Sequence, residues 1–127
     1  MTLFDVHEAL AWFVVIANGL VGLWALGAQY RPALRTPVLW WATAVAEVAA
    51  FVIAAVGVLI VNRHDIELDS FHALYGFSII VAVGILYSYR GSPFVTDKVH
   101  LLYGCGGLFI MGLGIRAMFL GNAAMGG

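Results

Sequence analysis

Few residues in this chain are of a type that does chemistry: Glu47, Asn18, four histidines (His7, His64, His72 and His100), Arg116 and Cys105. Glu47 is the sharpest anomaly. It lies deep inside a long apolar stretch, where an ionised carboxylate in hydrocarbon costs at least about 2.5 kcal/mol and the neutral acid is the form tolerated. Stepping by three or four, its helix face reads Thr43, Glu47, Ala50, Ala54, Gly57. Small residues of this kind let helices approach closely in lipid, so Glu47 is expected to point into a bundle. Asn18 is the best partner in the sequence. His7, Asn18 and Gln29 recur every eleven residues, about three helical turns, and form one polar seam with Ala11 and Ala25 between them. Counted from opposite ends of antiparallel helices, Asn18 and Glu47 fall at similar depth, and a hydrogen bond between them, worth about 1 kcal/mol, is the expectation. A proton-relay, ion or quinone role for Glu47 is the competing reading.

The histidines carry the second signal. His7 and His72 begin two stretches that run in the same direction, so their depths match. Two neutral imidazoles on different helices at one membrane level are a ligand pair for a b-type haem. Arg116, near that level, would meet a propionate. Against this, histidine at a membrane interface needs no ligand, and no second pair of matched depth exists. The expectation is therefore that His7 and His72 are interfacial side chains and that the chain holds no cofactor, with haem b as the alternative. A divalent-metal site built from the histidines with Asp5, Glu8, Asp65, Glu67 and Asp69 has no recognisable ligand spacing, and no metal is expected.

The remaining candidates read as packing. Gly104, Gly107, Met111 and Gly114 line one helix face together with His100, a groove suited to a close helix neighbour. Cys105, the single cysteine, sits in the run Gly104-Cys105-Gly106-Gly107, so there is no intramolecular disulfide and no thiolate metal cage. These glycines follow no strand and precede no lysine, which excludes a phosphate cradle. No Ser/His/Asp set, paired carboxylates or basic nucleic-acid surface is present.

The elements that must position these groups are four apolar stretches, 6–28, 37–61, 71–89 and 99–120. Each matches the roughly 20 apolar residues that cross a hydrocarbon core of about 30 Å as helix. Of the 127 residues 63% are hydrophobic and 10% charged, and mean hydropathy is +0.98. A soluble domain this small could not bury so much apolar surface. The expected fold is a single all-α domain, residues 1–127: an up-down-up-down transmembrane four-helix bundle. Tyr30-Arg31-Pro32 and Thr36-Pro37 close one helix and open the next, with Thr36 as N-cap; Arg90-Gly91-Ser92-Pro93 ends the third, and Ser70 is a candidate cap at its start. Trp12, Trp24, Tyr30, Trp40, Trp41, Tyr75, Tyr87, Tyr89 and Tyr103 cluster near span ends and read as interfacial anchors.

Charge gives orientation. The net charge of −1 is uninformative, but Arg31, Arg35, Arg90 and Lys98 share two short loops with one acid, Asp97, while Asp5, Glu8, Asp65, Glu67 and Asp69 collect at the other end, with Arg63 and Arg116. The positive-inside rule makes the basic loops cytoplasmic and both termini external, in a multi-pass protein of the cell membrane. The first stretch lacks a basic n-region and a cleavage site, and reads as a retained anchor. Phe71-His72-Ala73-Leu74-Tyr75-Gly76 resembles Val99-His100-Leu101-Leu102-Tyr103-Gly104, a faint repeat. One carboxylate and one amide inside the membrane are too little for a lone enzyme. The sequence thus points to a small non-catalytic accessory or assembly subunit that contacts lipid and other membrane subunits or its own copies, and no nucleic acid. A b-type haem or quinone-linked redox subunit using His7, His72 and Glu47 is the alternative.

Overall fold

A computed structural model describes residues 1–124 as helices joined by short turns: α1 (Leu3–Tyr30), α2 (Pro37–His64), α3 (Ser70–Tyr89) and α4 (Val99–Ala124), with 3-10 turns at Pro32–Leu34 and Pro93–Lys98. Each of the four is long and apolar enough to cross a membrane, with mean hydropathy between 1.5 and 2.7 in its most apolar window. The all-α four-helix bundle expected from the sequence is the fold. Helix ends run beyond the apolar stretches because polar residues close them. Thr2 and Asp5 form a reciprocal capping box at the start of α1. Asp65 ends α2 in the left-handed region at φ 50°, which a short polar side chain tolerates. At α3 the cap is Asp69, whose Oδ2 accepts from His72 N at 2.8 Å, and not Ser70, which is already helical. Thr36 occupies the N-cap position of α2 with Pro37 next in the helix, yet its hydroxyl makes no capping bond and is buried without a partner.

Helix packing follows small residues. α1 and α4 form the most extensive interface, α1 with α2 and α3 with α4 come next, and α2 and α3 meet least. The bundle is therefore a ring that is loose along one side. At the α1–α4 seam a Cβ on Gly107 would lie 2.7 Å from the Asn18 carbonyl oxygen and 2.8 Å from Gly22 Cα, and one on Gly22 would lie 3.0 Å from the Gly104 carbonyl oxygen. Only glycine on both helices permits backbones this close. The face of Gly104, Gly107, Met111 and Gly114 is thus occupied by α1, where Met111 Sδ reaches Gly19 and Val15 reaches Gly114. The buried core runs through Val14, Leu39, Ala50, Ile79, Val83, Leu86 and Ile110. Many large apolar side chains, among them Phe13, Leu20, Phe51, Phe77 and Phe119, remain exposed on the outer surface, as lipid contact requires.

Candidate functional site

At the acidic end, α1 and α3 bring His7 and His72 together, with ring centroids 6.0 Å apart and planes inclined at 49°. Both rings are half-buried. The other two helices supply the walls. A Cβ on Gly57 of α2 would sit 3.5 Å from His7 Nε2, and one on Gly121 of α4 would sit 2.9 Å from His72 Nδ1. His72 Nδ1 is 2.7 Å from the Ala117 carbonyl oxygen. A carbonyl only accepts, so the proton is on Nδ1 and Nε2 of the neutral ring keeps its lone pair. This is the arrangement that orients a metal-binding histidine. The α2 residues 58–64 continue past Gly57, and His64 near their end stacks on Phe4 at 4.9 Å. His7 and His72 lie within the first two turns of α1 and α3, at the helix starts where the sequence puts them.

Two metal–nitrogen bonds of about 2.0–2.1 Å, plus the distance from each ring nitrogen to its centroid, span close to the 6.0 Å between the ring centroids, while His7 Nε2 borders α2 at Gly57. No group of three or more His, Cys, Asp or Glu that could enclose an ion occurs among the described residues. Arg116 is exposed on α4 next to Ala117, whose carbonyl binds His72, but it is not brought into contact with the ring pair.

Midway along the bundle, Asn18 is 1% exposed. Its amide donates to the Val14 carbonyl at 2.8 Å and to the Ala46 carbonyl of α2 at 3.4 Å. The expected bond to the Glu47 carboxyl is not formed, because Ala46 presents its backbone to α1 while Glu47 is turned one residue further round α2. Glu47 is half-buried, and its carboxyl accepts no hydrogen bond from any described residue. It shares a face of α2 with Trp40, two turns away. The third member of the seam, Gln29, clamps the start of α4 by donating to the Asp97 carbonyl at 3.1 Å and accepting from Leu101 N at 3.0 Å.

The basic end holds a cluster that residue types alone do not reveal. Tyr103 is buried, donates its hydroxyl to the Leu86 carbonyl at 2.9 Å, and meets Trp40 edge to face at 5.0 Å. His100 packs on the same indole at 5.4 Å, with its Nε2 buried and unpartnered. The Arg90 guanidinium lies over the Trp40 ring at 4.9 Å. Tyr103 is therefore a core residue of the basic end, with Trp40 partly buried against it. An aromatic residue near a span end looks like either a core residue or an interfacial anchor, and only the helix pairing separates the two. Arg35 closes the end of α1, its guanidinium donating to the Ala28 and Gln29 carbonyls at 2.6 and 2.7 Å.

Comparison of the chain with protein-family models, with curated proteins and with solved structures finds no match. What the four apolar helices define is a small multi-pass membrane protein in contact with the lipid bilayer.

Proposed function

We propose that this protein is a membrane redox subunit in which His7 and His72 would hold a b-type haem. The observation that carries the reading is the meeting of two imidazoles from different helices at 6.0 Å, one of them fixed as a lone-pair donor through Nε2. A haem so held supplies a one-electron carrier. The chain's own residues do the rest. The Ala117 carbonyl holds the His72 proton on Nδ1 and strengthens Nε2 as a donor. Gly57 and Gly121 let α2 and α4 close on the two rings. An absorption spectrum and a metal analysis of detergent-purified protein test it. The expected results are a Soret band, about one iron per chain, and loss or displacement of the band in His7→Ala and in His72→Ala but not in His100→Ala. Absence of both band and iron, or a band indifferent to His7 and His72, overturns the reading.

A second reading, the non-catalytic accessory subunit, is favoured by a different observation: α2 and α3 meet least, and the Glu47 carboxyl accepts no hydrogen bond from any described residue. A neighbouring transmembrane helix with a donor at mid-depth would supply the missing bond. Native mass spectrometry from lipid nanodiscs separates the cases. An assembly heavier than one 13.7 kDa chain that persists in Glu47→Gln and dissociates in Glu47→Leu supports this reading; a single chain in every variant removes it.

A further inference from the structure

At the basic end, between the start of α2 and the end of α3, lies a cavity of about 270 Å³ lined by Pro37, Trp40, Trp41, Ala44 and Arg90. We propose that it is a binding site for the headgroup of an anionic phospholipid, with Arg90 taking the phosphate. Four observations converge there. The space opens to the surface of the bundle, so a headgroup can enter it from the membrane. Its lining contains a cation and no carboxylate, and Arg90 is pre-oriented by stacking on Trp40 at 4.9 Å. The α2 N-terminus, the positive end of a 28-residue helix without a side-chain cap, borders the space at Pro37. Arg35, the other nearby cation, is already committed to the end of α1.

The surroundings favour a lipid over a free anion. Two tryptophans flank the cavity, Trp41 being 73% exposed on the outer surface of α2, where an indole sits beside a glycerol backbone. Below the cavity, the side along which α2 and α3 meet least offers an acyl chain a path between apolar side chains. A basic pocket between membrane helices at the end richest in arginine and lysine is the setting in which anionic headgroups are held.

Native mass spectrometry of the detergent-solubilised chain tests the proposal with three probes: phosphatidylglycerol, phosphatidylcholine of the same acyl chains, and inorganic phosphate. The expected result is a phosphatidylglycerol adduct retained at least five-fold better than the phosphatidylcholine adduct and undisturbed by millimolar phosphate. Arg90→Gln should lower it to the phosphatidylcholine level, and Arg116→Gln should leave it unchanged. Trp41→Ala, at an exposed position that does not endanger folding, should weaken the adduct several-fold, and circular dichroism confirms that each variant is helical. Equal retention of the two lipids, or an Arg90→Gln chain that binds as wild type, overturns the proposal. Capture or competition by inorganic phosphate without preference between the lipids assigns the cavity to a free anion and overturns the lipid source.

Discussion

The bond from His72 Nδ1 to the Ala117 carbonyl leaves Gly121 no room for a side chain, whereas Gly57 stands at ordinary contact distance from His7. The two glycines should therefore respond differently to one methyl group. Gly121→Ala places Cβ within 3.0 Å of His72 Nδ1 and Cε1 and should turn the ring off the carbonyl, reducing haem or metal retention several-fold, while Gly57→Ala should retain it. Absorbance per mole of folded protein reads both. Asn18 permits a second test. Since its amide bonds to backbone carbonyls and not to Glu47, Asn18→Ala should cost about 1 kcal/mol, and combining it with Glu47→Gln should be additive within about 0.5 kcal/mol. Unfolding by sodium dodecyl sulfate in mixed micelles measures the cycle, and a larger coupling would restore the Asn18–Glu47 bond. The matched depth of His7 and His72 was legible in the sequence because both start helices running the same way. Contact between them was not, because depth says nothing about which faces turn inward. The same limit separates Ala46 from Glu47: one residue is a rotation of about 100°, finer than a comparison of depths resolves.

Among the elements, the α1–α4 seam is the one that cannot be loosened cheaply. A methyl on Gly107 meets backbone atoms of Asn18 and Gly22 that have no rotamer to yield. Gly107→Ala should cost about 1–3 kcal/mol. Gly84→Ala and Gly112→Ala, where a Cβ meets nothing within 4 Å, should be neutral or gain up to about 1 kcal/mol. The same micelle titration ranks all three, and equal effects would refute the seam as the source of stability. That the glycine face of α4 packs a helix was legible from its spacing, since small residues every three or four positions have few other uses in lipid. Which helix it packs was not, because chain order in a four-helix ring leaves α1 and α3 as equal candidates. The cap at α3 illustrates a finer failure: Asp69 and Ser70 are both good cap residues, and neighbouring positions differ only in which carboxylate or hydroxyl reaches His72 N.

For the whole molecule, the separation of charge predicts an orientation. Arg31, Arg35, Arg90 and Lys98 lie at the opposite end of the bundle from Asp65, Glu67 and Asp69, and the basic end should face the cytoplasm. In a Cys105→Ser background, a cysteine placed beside Arg35 should resist an impermeant thiol reagent in intact cells and one beside Glu67 should react. The reverse pattern would put the histidine pair on the cytoplasmic side. Helix number and membrane character were legible because hydropathy averages over twenty residues and forgives local error. The looseness between α2 and α3 was not, since it results from α1 and α4 winning the closest contact and leaving the other pair apart.

That choice of closest pair also has a history in time. α1 leaves the ribosome before α4, yet the glycine faces that bind them are separated by two intervening spans. During synthesis α1 must therefore wait in the bilayer with its narrowest, least lipid-covering face open. The bundle closes only when the last helix is inserted. A nascent chain stopped after α3 lacks the helix that packs against the glycine face of its first span.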